Sequence, residues 1–359
     1  MPIYMDRHNI PAELTSQHVA RMHQEDLKVQ HLYGCKGMTY WCDETTAFCL
    51  IEAPNKEALK KMHDHAHGAL PHAIIEVDPK IVEAFLGRIK DPEFTGQEGE
   101  LHVISESAYR VIMVSGIDHK HSLDNSMTIA LQKYFKELIL RFDGSIVKQN
   151  KNCALVSFSS VTNAVMCAIE LQNKFKTYIL EHNNANNLKL NIGLCTGVPF
   201  NDKGGIFDET VKFAEWMCEF VKGPIVLSSE VRNLFEGENL NVIVMDEQTH
   251  SLTPSEEKFL SVLMDLTEKT WNDTNLTVES FSKQLGFSKS QLYRKMQRLT
   301  NKSLNVFIKD YRLKKACEFL EKKTGNISEI AFETGFNSPA YFTKCFQEAY
   351  GILPSAYNK

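Results

Sequence analysis

Leu276-Thr277-Val278-Glu279-Ser280-Phe281-Ser282-Lys283-Gln284-Leu285-Gly286-Phe287-Ser288 runs directly into Lys289-Ser290-Gln291-Leu292-Tyr293-Arg294-Lys295-Met296. About fifty residues later, Ile327-Ser328-Glu329-Ile330-Ala331-Phe332-Glu333-Thr334-Gly335-Phe336-Asn337 runs into Ser338-Pro339-Ala340-Tyr341-Phe342-Thr343-Lys344-Cys345-Phe346. Each copy reads as a short helix, a glycine turn and a second helix opened by Ser or Asn. That is the helix-turn-helix plan, whose second helix enters a DNA major groove. Helical spacing sorts the side chains. Leu292, Met296 and Leu299 recur at i, i+4, i+7 and face a core, while Lys289, Ser290, Tyr293, Arg294 and Lys295 are left outside. In the second copy Phe342 and Phe346 point inward, and Asn337, Pro339, Ala340, Thr343 and Lys344 remain for DNA.

Charge agrees with this reading. From Leu276 to Lys359 there are 14 Lys/Arg against 7 Asp/Glu, so this stretch is basic on a chain whose net charge is −5. A basic block on an otherwise acidic chain is an electrostatic footprint for nucleic acid. The segment resembles the AraC-type DNA-binding domain of bacterial transcription regulators over about 105 residues, including the long helix at about 304–322. It departs at Leu353, where the family usually has a small polar residue. The resemblance implies base reading by Ser290, Tyr293 and Arg294. Arg294 is the strongest candidate, because a guanidinium can pair with guanine O6 and N7 together. Arg298, Lys302 and Lys309 are expected on phosphates, which position without specifying.

Outward from this block, 359 residues with 24% charged and 43% hydrophobic composition suit two or three domains. No apolar run approaches the ~20 residues of a membrane span. The start, Met1 to His8, lacks the basic and apolar regions of an export signal. Nine cysteines without paired spacing suit reduced thiols and a cytoplasmic location better than a disulfide framework. Pro, Gly and charge mark connections at 88–100 and 246–254, the second ending in a helix start: Thr253 as cap, Pro254, and Glu256 three residues on. The expected division is 1–87, 101–246 and 253–359.

The first segment reads strand 2–8, helix 15–31, strands 37–42 and 46–52, helix 55–67 and strand 72–77. This β-α-β-β-α-β order suits a ferredoxin-like sheet with two helices on one face. The other face needs a cover, which makes homodimerisation an expectation. Eight of the 13 histidines lie within residues 1–78. His63 and His67 share a helix face at i, i+4, a spacing that can chelate a transition metal. Met1–His8, Val19–His23, Tyr40–Glu44, Phe48–Pro54 and His63–Gly68 resemble a small nickel-binding ferredoxin-like family. That resemblance implies a metal, nickel or else zinc, and the expected ligands are His8, His23, His63 and His67. The competing reading leaves these histidines on an exposed helix end, capping carbonyls.

Residues 107–236 mix strands (109–114, 145–150, 153–158, 188–195) with helices (123–141, 160–182, 208–221). Val111–Ile117, Phe142-Asp143-Gly144, Ala154–Phe158, Asn191–Gly197 and Gly223–Val231 resemble the catalytic domain of class III nucleotide cyclases. Such enzymes need two Asp for two divalent ions. The matching positions hold Gly116 and Asn152, and Lys212 and Trp216 stand where an Asn and an Arg normally assist the reaction. The expectation is a non-catalytic relative. The chain therefore reads as an α+β ferredoxin-like domain, an α+β cyclase-like domain and an all-α double helix-turn-helix domain. It would bind double-stranded DNA as a transcription regulator, with a metal or small-molecule effector. The rival reading is a nucleotide cyclase with an appended DNA-binding domain.

Overall fold

The computed structural model describes residues 1–359 apart from 12–14, 44, 94–99, 119–124, 182–187, 203, 240–247 and 358–359. Parts of both expected connections, 94–99 and 246–247, lie outside the described residues.

The first sheet contains β1 (Ile3–Asn9), β2 (Lys36–Cys42), β3 (Thr46–Glu52) and β4 (Ala73–Glu76) in the order β2-β3-β1-β4. All its pairings are antiparallel. Helices α1 (Ser16–Val29) and α2 (Lys56–Ala66) cover one face, the ferredoxin-like arrangement. Side chains alternate along a strand. On β3, Ala47, Cys49 and Ile51 therefore meet these helices, while Phe48 and Leu50 point the other way.

That second face is filled within the chain. Met5, Trp41, Phe48, Leu50 and Ile75 pack with Val82, Phe85 and Leu86 of α3 (Pro79–Leu86) and with Ile112 and Val114 of the second sheet. Phe200 and Phe207 complete the cluster, with Phe48–Phe200 ring centroids 5.6 Å apart and Phe85–Phe207 at 4.8 Å. Among the described residues, the cover expected from a second copy is therefore supplied to this face by the chain's own second segment. The stretch after α3 is no free tether either. Arg88 donates to the Tyr40 carbonyl at 2.6 Å, the Asp91 amide to the Met38 carbonyl at 3.0 Å, and the Cys42 amide to the Glu106 carbonyl at 3.1 Å.

The second sheet has β5 (Arg110–Asp118), β6 (Ser145–Gln149), β7 (Cys153–Phe158), β8 (Lys189–Gly197), β9 (Ile225–Leu227) and β10 (Thr249–Ser251), in the order β10-β9-β8-β5-β7-β6. Val111 and Met113 of β5 face α4 (Asn125–Arg141), α5 (Val161–Glu181) and α7 (Ser229–Glu238). The opposite face takes α3, the first sheet and α6 (Asp208–Phe220). Gly193 permits the close approach of α6, since a Cβ there would lie 2.4 Å from the Ala214 carbonyl. The sequence reading assigns no element to α3, β9, α7 or β10, although α3 carries a signal in Val82, Phe85 and Leu86 at helical spacing behind the Asp78 cap and Pro79.

The last part is helical: α8 (Pro254–Thr270), α9 (Val278–Gln284), α10 (Lys289–Thr300), α11 (Leu304–Lys322), α12 (Ile327–Glu333) and α13 (Pro339–Tyr350). α8 opens as expected, Thr253 Oγ1 accepting from the Glu256 amide at 3.3 Å while Glu256 Oε2 accepts from the Thr253 amide at 3.0 Å. Gly286 (φ 72°) and Gly335 (φ 80°) make the two helix-turn-helix bends in the left-handed region, where a Cβ is disfavoured. α11 serves both units: Leu304, Phe307, Ile308 and Tyr311 join the core of the first, and Leu313, Ala316, Cys317 and Leu320 that of the second.

Candidate nucleic-acid interface and metal centre

On α10, Leu292, Met296 and Leu299 are buried, as the spacing requires. Ser290, Tyr293 and Arg294 are exposed, and Tyr293 is 58% exposed despite its aromatic ring. Only a weak 3.4 Å bond to the Ser290 carbonyl engages the Arg294 Nε. The other basic side chains on this helix are partly engaged. Lys289 pairs with Glu279, Lys295 lies 5.2 Å from the Phe259 and Phe287 ring centroids, and Arg298 Nε meets Glu256 Oε1 at 2.8 Å. On α13, Phe342 and Phe346 are buried, Ala340 and Lys344 are exposed and Pro339 and Thr343 half-buried, and Asn337 just before the helix is exposed. Tyr341, 55% exposed and lining one hollow with Asn337, is given no role in the sequence reading. Lys302 is tied to Asp310 at 2.7 Å. Lys309 lines the hollow between the start of α11 and the start of α13.

A family profile described as "Helix-turn-helix domain" matches residues 281–359. The carboxyl-terminal segment is an AraC-type helix-turn-helix domain. Histidine kinase P4 of Formosa agariphila is 38% identical over 113 residues, 30% of this chain and 8% of that protein. The HTH-type transcriptional regulator YdeC of Bacillus subtilis is 33% identical over 84 residues, 23% of this chain and 29% of the relative. The chain thus spans less than a third of the length of either. A second profile, "Nickel responsive protein SCO4226-like", matches residues 4–77, so the first sheet and its helices form a domain of that family. The adenylyl cyclase CyaB from P. aeruginosa is 16% identical at a TM-score of 0.31, covering 36% of this chain and 81% of that one.

On α10 of the AraC-type domain, Arg294→Ala is expected to relax base preference in one half of a selected DNA site by about 1–3 kcal/mol. Binding measured on single-base variants of that site checks it.

In the SCO4226-like domain, β1 carries Asp6 and His8 on the helix-facing side, two residues apart as strand alternation demands. α1 adds Asp26, and the last turns of α2 add His63 and His67. His63 stands at the centre, its Nε2 2.8 Å from Asp6 Oδ2 and its Nδ1 3.0 Å from Asp26 Oδ1. His67 Nε2 lies 3.2 Å from His63 Nδ1 and 3.3 Å from Asp26 Oδ1. Two sets of potential ligands therefore share one imidazole: Asp6, His8 and His63, and Asp26, His63 and His67.

Burial opposes every charge here, but the charges hold one another. Burial would lift Asp6, yet His8 and His63 keep its carboxyl well below the usual range. Asp26 is likewise lowered against burial by hydrogen bonds from His63 and His67. Burial would neutralise His63, but Asp6 and Asp26 push it up to about 10. Cys49, opposite Asp6 on β3, is raised by burial and then by the two carboxylates, and stays a thiol.

The arrangement suits a cation. His8 Nε2 and Asp6 Oδ1 are 3.3 Å apart without hydrogen-bond geometry, and both are buried with no hydrogen-bond partner. His23 is the exception among the expected ligands. It belongs to neither set, because its Nε2 is turned to Asp91 Oδ2 at 3.1 Å beside Tyr40. Asp6 and Asp26 are the donors outside the expected set. A buried Asp two residues before a histidine on a strand was the available signal for Asp6.

At the cyclase-like positions, Gly116 pairs with Cys153, and the Ile117 amide donates to the Asn152 carbonyl at 2.8 Å. Gly and Asn offer no carboxylate there. Lys212 Nζ sits 4.8 Å from the Trp216 ring centroid and 2.8 Å from Glu268 Oε2 on α8. Both α6 side chains thus lie at the contact with the carboxyl-terminal helices, Lys212 through Glu268 and Trp216 against the core around Phe259 and Phe307. Phe220, near Phe307 (5.2 Å) and Tyr311 (5.8 Å), extends the same contact. The Lys222 amide donates to the Leu299 carbonyl at the end of α10, at 2.9 Å.

Proposed function

We propose that the chain is a DNA-binding transcription regulator whose three units, 1–87, 101–246 and 253–359, divide the work of metal binding, spacing and DNA reading. The observation that carries this is the repeated helix-turn-helix unit with Ser290, Tyr293 and Arg294 exposed on its first reading helix. The two units on one chain allow reading without a second copy, and any dimer contact would use a surface other than the filled face of the first sheet. The cytoplasm, where bacterial DNA lies, is the compartment this reading requires.

In the first unit, Asp6, His8, Asp26, His63 and His67 would hold a transition metal, nickel or zinc by the imidazole-rich donor set. A divalent ion there would neutralise two buried carboxylates and join β1, α1 and α2. The second unit is read as a catalytically inactive spacer. Its α6 grips α8 and the end of α10, so a shift of the sheet would be felt at the reading helix as a coupling between sites.

DNA selected by the full chain with and without Ni²⁺ tests the reading, with a recurring site enriched in at least one arm as the expected result. Incubation with ATP or GTP and Mn²⁺ is expected to yield no cyclic nucleotide. Its formation would establish the cyclase reading instead.

A further inference from the structure

Arg294 and Arg298 lie one turn apart on α10 and line one wall of a groove of about 370 Å³, with Ser255, Glu256 and Phe259 of α8 on the other wall. Glu256 is fixed by the helix start, its Oε2 accepting from the Thr253 amide at 3.0 Å and the Thr253 hydroxyl at 2.8 Å. Its Oε1 then takes Arg298 Nε at 2.8 Å. The carboxylate is only 13% exposed, whereas the arginine is 71% exposed. Lys295 is directed over the Phe259 and Phe287 rings rather than at this carboxylate.

We infer that Glu256 is a built-in competitor for the DNA phosphate that Arg298 would hold, so that one backbone seat beside the reading helix is masked in the free protein. The inference rests on α10 being the DNA-reading helix. An exposed ion pair is weak and easily exchanged, and an arginine–phosphate pair is the stronger, bidentate one. The carboxylate cannot leave when the phosphate arrives, because the cap holds it. It remains as a like charge in the groove, and DNA binding is weaker for it. Sequence preference, carried by neighbouring Arg294, would be untouched.

Glu256→Gln separates the two roles, since glutamine serves the cap equally well without charge. Glu256→Ser is a second variant, because Ser280 fills the same capping position in α9. Full-length protein is titrated against a duplex that the wild-type chain selects, over a series of salt concentrations. Both variants are expected to bind roughly two- to fivefold tighter at low salt, with unchanged preference among single-base variants of the duplex. Arg298→Ala should weaken binding and lower the salt slope by about one phosphate. In the Arg298→Ala background, Glu256→Gln should gain less than it does alone. Equal or weaker binding by folded Glu256→Gln and Glu256→Ser would overturn the inference, showing that the carboxylate orders Arg298 for DNA. A wild-type chain that binds no duplex would instead overturn the regulator reading, and this inference with it.

Discussion

His63→Ala is expected to abolish transition-metal binding and to destabilise the metal-free protein by about 3–5 kcal/mol. The imidazole is the one donor common to both potential ligand sets, with its two nitrogens 2.8 and 3.0 Å from Asp6 and Asp26. Without it neither set keeps three donors, and affinity should fall by at least about 100-fold, beyond what is lost when only an outer partner of a ligand is removed. The stability cost has a separate origin. Asp6 and Asp26 are buried carboxylates held ionised by neighbouring imidazoles, Asp6 by His8 and His63 and Asp26 by His63 and His67. Deleting the cation leaves buried charge that must be protonated or unfold the site. Calorimetry with Ni²⁺ and Zn²⁺ measures the first effect, and denaturant unfolding in chelator the second. His23→Ala is the informative control: turned to Asp91, it should leave metal affinity unchanged. A loss there equal to that of His63→Ala would show that His23 moves in to ligate.

The contrast between His23 and Asp6 shows where the sequence is legible. Helical spacing at i, i+4 was enough to bring His63 and His67 together, because two residues of one helix need no tertiary information. His23 and His8 needed the packing of α1 against β1, which composition does not contain. His23 sits about one turn before Asp26 on the same side of α1, so position along the helix axis decides which of them meets α2. In the AraC-type domain the local signals sufficed: the glycine bends, the caps and the i, i+4, i+7 core positions all concern neighbours within one helical unit. What stayed hidden there was long-range pairing, such as Arg298 with Glu256 and Lys212 with Glu268, residues 42 and 56 positions apart.

The cover of the first sheet was hidden for the same reason, although β3 carried a hint. Thr46-Ala47-Phe48-Cys49-Leu50-Ile51-Glu52 is apolar on both faces, the pattern of a strand buried on two sides. A second copy and a second domain satisfy that pattern equally, so the sequence alone does not choose between them.

The choice has a measurable consequence at Phe48. Its side chain is fully buried between the sheets, against Phe200 of the second segment, so Phe48→Ala is expected to cost about 3–5 kcal/mol. If the face were filled by a second copy, the melting temperature of the wild-type protein would rise with protein concentration, since association adds to stability by mass action. With the face filled from within, no such dependence arises from it. The substitution should instead loosen both sheets together, because Met5 and Leu50 on one side and Ile112 and Val114 on the other belong to one cluster. Hydrogen exchange should therefore speed up in β1, β3 and β5 alike, while α12 and α13, with their own core around Phe342 and Phe346, keep their protection. Loss of protection confined to the first sheet would mean that the two sheets open independently, and would count against a filled face that binds them into one unit.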